Sequence, residues 1–320
     1  MKQKSSQQIP WWKRSWDKIL FLVILAVFVL LSPGQNIYLM AGASDQHLLP
    51  PWPISVPPPA PYPVNSTGVY PGPEITATGV VVVDIGSGVY LYKRNETIPL
   101  SPASTTKLMT ALVALDTYNL DDVVTIKQMN IDGQSMGLVP GEKMTVENFL
   151  YGALIYSGND AAWALADYYP GGEQKFVDAM NVKASQLHLT QSTFTNPVGY
   201  DDANHKMTPL DLAQLGEAAL NNKTIAKMVA IPEITISDVT HTYFYQLKNV
   251  NELLGKIPGV GGIKTGWTEE AGENLITLVE RNGHRVITVV LHSQDRFGDT
   301  SKLIDWVFGN YQWKQLAPPS

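Results

Sequence analysis

Hydrophobic positions in this 320-residue chain change their spacing from one region to the next, and each spacing predicts a different element. A continuous β-branched run near residue 80 is followed by a Gly-Ser-Gly turn, and two late apolar segments flank Asn282-Gly283, a strong signal for a β-hairpin. The predicted strands are residues 80–83, 89–92, 262–266, 275–280 and 285–292. They predict an antiparallel sheet of about five strands, assembled from both ends of the folded region.

Helical periodicity dominates the region between these strands. Thr145 and Thr208 stand where helix N-caps are expected, and Pro209 is acceptable in a first helical turn. The predicted helices are residues 107–115, 146–156, 161–168, 176–187, 209–220 and 301–308. The pattern therefore predicts an α+β fold, in which helices and a mostly helical lobe flank the sheet.

The N-terminal region differs in texture from the rest. Residues 1–18 carry a net charge of +4 and three tryptophans, and residues 19–31 are thirteen apolar residues without a charge. We expect residues 1–18 to be a cytoplasmic basic tip and residues 19–43 to be a signal anchor or signal peptide that contacts the membrane. The sequence Ala41-Gly42-Ala43 has the form of a cleavage site but lies far beyond the apolar run, which favours an uncleaved anchor.

A proline-rich stretch separates this segment from the remainder. Residues 44–78 hold ten of the 22 prolines and only two charges, and they predict an extended linker. Residues 79–315 would then form one folded domain. We expect that domain at the extracytoplasmic face of the cell membrane, or secreted or periplasmic if the signal is cleaved.

Charge and cysteine usage exclude several functions. The net charge is −6, and residues 19–320 alone sum to −10, so nucleic acid is not an expected partner. Without Cys there is no disulfide framework, thiolate nucleophile or Cys-ligated zinc. No histidine spacing suggests a metal site, and we expect no metal and no cofactor. The histidines at 205, 241, 284 and 292 are expected at the surface or in caps.

The first motif with candidate chemistry is Ser104-Thr105-Thr106-Lys107. It places a hydroxyl and an amine one helical turn apart, and a lysine with a lowered pKa can activate a serine nucleophile. Taken alone, an N-cap serine and a solvated helix lysine explain these four residues better.

Two further motifs follow along the chain. Ser157-Gly158-Asn159 lies between two predicted helices, where it could supply a proton-relaying hydroxyl and an orienting amide, or merely a capping loop. Lys264-Thr265-Gly266 lies on a strand of small residues, where a cation and a hydroxyl can hold a carboxylate while a substrate pairs as an added strand. A phosphate loop is rejected, because Ile263 interrupts the Gly-Lys-Thr sequence that such a loop needs.

In this order the three motifs resemble those of the penicillin-binding protein and serine β-lactamase superfamily. From about residue 79 to 315 the chain is similar to the D-alanyl-D-alanine carboxypeptidases among the low-molecular-mass penicillin-binding proteins. The resemblance is carried by PASTTKLMTA at 102–111, SMGL at 135–138, YSGNDAA at 156–162, FTNP at 194–197 and GIKTGWT at 262–268. It implies a β-lactamase/DD-peptidase-like fold.

The resemblance also implies catalytic roles. Ser104 would be the acylated nucleophile and Lys107 its general base. Ser157 would pass the proton to the leaving D-alanine, and Asn159 would orient the substrate. The implied reaction is serine-type hydrolysis of the terminal D-Ala of peptidoglycan stem peptides, and β-lactam antibiotics are implied as acylating ligands.

Substrate-binding roles are implied for residues near the C-terminal motif. Lys264 would attract the substrate carboxylate, and Thr265 would hydrogen-bond it. The oxyanion hole would use the backbone N–H groups of Ser104 and of Trp267, the residue that follows Gly266. Arg296 looks like the additional carboxylate-recognising arginine of this family, and a surface ion pair is the alternative for it.

Other functions with the same machinery remain open at this point. The chain could be a D,D-endopeptidase or a β-lactamase, although no Glu-x-x-Leu-Asn element for rapid deacylation is found. A non-catalytic wall-binding module is a further alternative, which the intact Ser and Lys residues disfavour. Gly261 and Val198 depart from residues common in relatives. The chain ends soon after the last predicted helix, which again favours an N-terminal anchor.

Overall fold

The computed structural model describes residues 13–31, 60–69, 72–127 and 131–315. The chain divides into two units, Met1–Pro57 and Pro58–Ser320. In the first unit α1 (Lys13–Leu31) is a single helix. No helix in the described part of the chain is long and apolar enough to cross a membrane. Residues 1–12 of the predicted basic tip and the cleavage-site sequence at 41–43 lie outside the described residues.

The second unit contains the motifs. Its strands are β1 (Tyr62–Asn65), β2 (Gly79–Asp84), β3 (Val89–Arg94), β4 (Val123–Thr125), β5 (Lys143–Thr145), β6 (Glu233–Ser237), β7 (Phe244–Lys248), β8 (Val260–Thr268), β9 (Gly272–Arg281), β10 (His284–Ser293) and β11 (Tyr311–Lys314). Its helices are α2 (Lys107–Thr117), α3 (Val146–Tyr151), α4 (Asn159–Asp167), α5 (Gly172–Gln186), α6 (Pro209–Asn221), α7 (Lys223–Val229) and α8 (Arg296–Asn310). A 3₁₀ turn (Ala103–Thr106) precedes α2, and a π-helical segment (Gly152–Tyr156) follows α3.

The central sheet is antiparallel with the strand order β3-β2-β10-β9-β8, so it joins the start of the folded region to its end. The β9–β10 hairpin turns at Asn282 and Gly283, whose φ angles of 53° and 78° suit a two-residue type I′ turn. In β2 the register sets Val81 opposite Val289. The prediction of an α+β fold with a five-stranded antiparallel sheet is confirmed.

The sheet is buried on both faces, because alternate residues of one strand enter two different cores. Val81 and Val83 of β2 belong to a large core with the helical lobe, whereas Val80 and Val82 pack in a smaller core with α8. The 3₁₀ turn and α2 are thereby held between the sheet and the helical lobe. This places the first motif beside the edge strand β8.

All six predicted helices are present, although their ends are shifted. Thr145 and Thr208 cap their helices by accepting hydrogen bonds from backbone N–H groups at 3.3 and 3.1 Å. The predicted helix 146–156 changes to π geometry after Tyr151. The last helix begins at Arg296 rather than at residue 301, because Asp295 caps it and Gly298 interrupts the apolar period there.

The short strands β1, β4 to β7 and β11 and the helix α7 are not predicted by the sequence pattern. They have only three to seven residues, too few for a periodicity to show. β1 lies within the predicted linker 44–78 and pairs with β11 at the other end of the domain. The last part of the proline-rich stretch therefore belongs to the folded unit, because a distant strand supplies its hydrogen-bond partners.

Candidate active site

The turn that presents Ser104 is built from backbone that closely contacts two glycines. Ala103 has a φ of 48°, an unusual left-handed conformation for alanine, and it starts the 3₁₀ turn that projects Ser104. A Cβ on Gly266 of β8 would lie 2.9 Å from the carbonyl oxygen of Pro102, and one on Gly199 would collide with the carbonyl of Ala103. Only glycine at both positions lets the strand and the loop pack against the serine turn.

Lys107 lies fully buried one turn after Ser104, with 0% of its surface exposed. Its Nζ is 2.7 Å from Ser104 Oγ, 2.7 Å from Asn159 Oδ1 and 2.9 Å from the carbonyl oxygen of Val198. Burial, together with the positive charge of Lys264, holds the pKa of Lys107 well below its usual value, whereas the charge of Asp160 opposes this effect. A neutral amine would donate to the two carbonyl-type oxygens and keep a lone pair for the Ser104 hydroxyl.

A second Ser–Lys pair lies beside the first. Ser157 has a φ of 65° where the π-helical segment ends, which turns its side chain toward β8. The buried Lys264 donates from Nζ to Ser157 Oγ at 2.8 Å and to its neighbour's carbonyl, that of Thr265, at 3.0 Å. Burial and the positive charge of Arg296 lower the pKa of Lys264 to about 7.

Asn159 has its side-chain amide oriented by the backbone. The Nδ2 group donates to the carbonyl of Asp132 at 2.7 Å, so Oδ1 faces Lys107. Tyr200 donates from its hydroxyl to the same carbonyl at 3.0 Å. These contacts connect α4 and Tyr200 with the loop that contains Asp132.

Above the two lysines is a cleft of about 530 Å³. It is lined by seven of the predicted site residues, namely Ser104, Ser157, Asn159, Thr265, Gly266, Trp267 and Arg296. Trp267 is 62% exposed at its edge. Lys107 and Lys264 contact the lining hydroxyls from beneath. The fold thus brings together all nine site residues that the sequence suggested.

Arg296 enters this cleft from the start of α8. Its Nη1 donates to the carbonyl of Gly266 at 3.0 Å, and its backbone N–H donates to the carboxylate of Glu273 at 2.9 Å. The guanidinium also lies over the ring of Phe297, 4.9 Å from its centroid. These contacts place it inside the cleft, which disfavours the alternative of a surface ion pair.

Several residues that organise the site were missed by sequence reasoning. Asp160 is buried and binds the backbone of residues 136–138, although it lies inside the segment that carries the resemblance. His205 is 1% exposed, not at the surface as expected, and contacts Thr106 at 2.8 Å. No group of three or more His, Asp or Glu side chains in the described ranges could hold a metal ion.

A cleft-lining serine hydrogen-bonded to a buried lysine at the start of a helix, beside the edge of an antiparallel sheet, is the arrangement of a serine enzyme that acts through a lysine base. The sequence profile of the D-alanyl-D-alanine carboxypeptidase family matches residues 66–295. The chain belongs to this family.

Individual relatives agree with this assignment. The chain is 33% identical over 250 residues to D-alanyl-D-alanine carboxypeptidase DacF of Bacillus subtilis, a match that covers 75% of this chain and 64% of the relative. It is 34% identical over 257 residues to a D-alanyl-D-alanine carboxypeptidase of Streptomyces sp. strain K15, covering 74% of this chain and 88% of the relative. The crystal structure of the Streptomyces K15 DD-transpeptidase superposes with a TM-score of 0.71 and 34% identity, covering 75% of this chain and 100% of that one.

Proposed function

We propose that this protein is a serine-type D-Ala-D-Ala carboxypeptidase that removes the terminal D-Ala of peptidoglycan stem peptides through an acyl-enzyme at Ser104. The observation that carries the proposal is the distance of 2.7 Å between Lys107 Nζ and Ser104 Oγ, combined with complete burial of the lysine. Burial disfavours the ammonium form, and only the neutral amine can accept the serine proton.

Acylation begins when Lys107 takes the proton from Ser104. The serine oxygen then attacks the carbonyl carbon of the penultimate D-Ala, and the carbonyl oxygen becomes an oxyanion. The backbone N–H groups of Ser104 and Trp267 would stabilise this charge, and loss of one such donor typically costs about 3 kcal/mol of transition-state stabilisation. The asparagine amide keeps the Lys107 amine in line with the serine oxygen.

Collapse of this intermediate breaks the peptide bond and releases D-Ala. The leaving nitrogen needs a proton, and we assign its delivery to Ser157, which accepts a hydrogen bond from Lys264. The proton that Lys107 took from Ser104 then replaces the one that Ser157 gives up. Water then attacks the ester carbonyl with Lys107 again as base, which regenerates the Ser104 hydroxyl and frees the shortened peptide.

The free carboxylate of the terminal D-Ala is the feature that a carboxypeptidase must recognise. Thr265 and Arg296 line the cleft, and Lys264 lies beneath them, so the three residues offer a hydroxyl and up to two positive charges. A substrate carboxylate would favour the charged form of Lys264, whose pKa of about 7 leaves it poised between its two forms. Binding of the substrate carboxylate would therefore raise the charged fraction of Lys264, and the charged lysine would in turn bind the carboxylate more strongly.

The proposal extends to ligands and location. Penicillins acylate enzymes of this chemistry, so β-lactams are proposed ligands together with stem peptides. We place the catalytic domain outside the cytoplasm, where peptidoglycan lies, with the N-terminal apolar segment serving as export signal or anchor to the membrane.

A fluorescent penicillin tests the proposal. The full-length protein should be labelled stably, and Ser104→Ala should abolish the label without loss of the folded circular-dichroism spectrum. D-Ala release from a pentapeptide should exceed cleavage of purified cross-linked dimers. Rapid penicillin turnover without a stable adduct would instead identify a β-lactamase. Preferential cleavage of the cross-linked dimers would identify an endopeptidase, and the absence of any label would identify a non-catalytic module.

A further inference from the structure

Asp160 is a buried carboxylate for which the reaction steps above give no role. Only 3% of the residue is exposed, and it follows Asn159 directly in α4. Its two oxygens accept five hydrogen bonds, four of them from one loop. The donors are Ser135 Oγ at 2.7 Å and the backbone N–H groups of Met136 at 3.0 Å, Gly137 at 3.0 Å, Leu138 at 3.2 Å and Ala161 at 2.9 Å.

The same loop also accepts hydrogen bonds, which Asn159 donates. The backbone N–H of Asn159 donates to the carbonyl of Gln134 at 2.7 Å, and its side-chain Nδ2 donates to the carbonyl of Asp132 at 2.7 Å. The loop 132–138 is thus joined to the start of α4 by donors on one side and acceptors on the other. Two adjacent residues of α4 hold the loop as a pair.

This pairing determines which end of the Asn159 amide faces the base. Because Nδ2 is engaged by the carbonyl of Asp132, Oδ1 is directed at Lys107 Nζ, 2.7 Å away. A displaced loop would release the amide to rotate, and an N–H group would then face the amine. Asp132, Gly133 and Gln134 also line the cleft, so the loop forms part of the substrate-binding wall.

We propose that Asp160 is a positioning residue for acylation, which acts by holding the loop 132–138 against α4 so that the Asn159 amide presents its oxygen to Lys107. The proposal rests on the proposed function, because it assigns Asp160 a part in that reaction. A carboxylate suits this task, since both of its oxygens accept hydrogen bonds, whereas an amide would turn its NH2 group toward some of these donors.

A second effect of Asp160 is electrostatic. The charged groups that face Lys107 are Lys264 from β8 and Asp160 from α4, and Arg296 from α8 acts on Lys264. The direct partners of Lys107 Nζ are uncharged, namely a hydroxyl, an amide oxygen and a backbone carbonyl. Removing the charge of Asp160 would lower the pKa of Lys107 further. The pH profile of acylation would then shift, which the loss of a purely structural residue would not cause.

Asp160→Asn is the variant that tests the proposal, with Asp211→Asn as its matched control. Asp211 is also a buried carboxylate that anchors a loop, through Gln191 and Ser192, but it does not contact the site. We expect Asp160→Asn to slow acylation by a fluorescent penicillin about 10- to 100-fold at neutral pH. The acid limb of its pH profile should move to lower pH, because the charge that raises the pKa of Lys107 is gone. Asp211→Asn should leave both unchanged.

Hydrogen exchange provides a readout that does not depend on activity. The amides of residues 136–138 should exchange faster in Asp160→Asn than in wild type. If Asp160→Asn does not fold, Ser135→Ala takes its place as the test. This variant removes a single donor to Asp160 and should slow acylation a few-fold. Wild-type acylation rate and pH midpoint in Asp160→Asn, or unchanged exchange at 136–138, would overturn the proposal. An unlabelled wild-type protein would overturn the proposed function instead, and the exchange comparison would still decide the loop.

Discussion

Two buried lysines define the chemistry of this protein at the scale of single residues. Lys107 and Lys264 are each 1% exposed or less, yet each finds oxygen partners within hydrogen-bond distance. Burying an ammonium without a counter-ion is costly, and the pKa of each lysine is lowered as a result. In the proposed reaction the two lysines would divide two tasks, with Lys107 as proton acceptor and Lys264 as a partly charged donor.

Lys264→Gln should reverse one of these effects. Without the neighbouring positive charge the pKa of Lys107 rises, so the acid limb of the acylation profile should move to higher pH. Acylation at neutral pH should fall by about 10²- to 10³-fold, because proton delivery through Ser157 is also impaired. Stopped-flow measurement with a fluorescent penicillin from pH 5 to pH 9 checks both effects.

Lys183→Gln is the control for this experiment, since Lys183 pairs with Asp116 away from the cleft. It should leave the profile in place. A downward or absent shift for Lys264→Gln would contradict the electrostatic role. Because Asp160→Asn and Lys264→Gln remove opposite charges, their two shifts should have opposite signs.

At the scale of elements, a buried histidine joins the serine turn to the loop that follows α5. His205 Nδ1 accepts from the backbone N–H of Thr195 at 3.0 Å, so its Nε2–H group donates to Thr106 Oγ1 at 2.8 Å. This geometry requires the neutral ring. Burial accordingly lowers the pKa of His205 to about 4.

The neutral histidine predicts a defined loss of stability in acid. Its folded pKa lies below the unfolded value of about 6.5, so the unfolded chain binds more protons between pH 6.5 and 4. The stabilisation is complete above pH 6.5 and is lost as the pH falls toward 4, a change of about 3 kcal/mol. Urea unfolding of wild type and His205→Gln across this range measures it.

Glutamine can accept from one loop N–H and donate to Thr106, so it keeps the connection without the titration. His205→Gln should therefore show a pH dependence weaker by about one proton in this interval. Equal slopes for the two proteins would show that another group titrates.

At the scale of the whole molecule, the two ends of the domain close on each other. β1 pairs with β11, and Trp313 of β11 donates from its indole nitrogen to the buried Asp84 at 3.0 Å. The indole also stacks on His284, with ring centroids 4.4 Å apart. The domain ends are thus tied to β2 and β10, on the side of the sheet that carries α8 and away from the cleft.

Trp313→Ala should therefore separate stability from catalysis. Loss of the stacked, partly buried ring and of its hydrogen bond should lower the free energy of unfolding by about 1–3 kcal/mol. Penicillin acylation below the melting transition should remain at the wild-type rate. Thermal unfolding and penicillin labelling provide the two measurements, and Gln312→Ala, at an exposed position of β11, is the control. Slower acylation in Trp313→Ala would show that this end of the molecule does influence the cleft.

The sequence by itself determined what depends on neighbouring residues. Asn282-Gly283 specified the β9–β10 hairpin, since it accepts the two positive φ angles of that turn, and Thr145 and Thr208 specified helix starts through their own hydroxyls. The order of the three motifs was enough to indicate the family, because each motif is contiguous in the chain.

Only the tertiary structure decided the properties that distant segments create together. The pairing of Ser157 with Lys264 spans 107 residues, and the low pKa of Lys107 depends on burial by the helical lobe and on a charge from β8. The buried contacts of Asp160 and His205 could not be predicted from the sequence for the same reason. Solvent exposure and charge proximity depend on the packed fold, and no local pattern of residues encodes them.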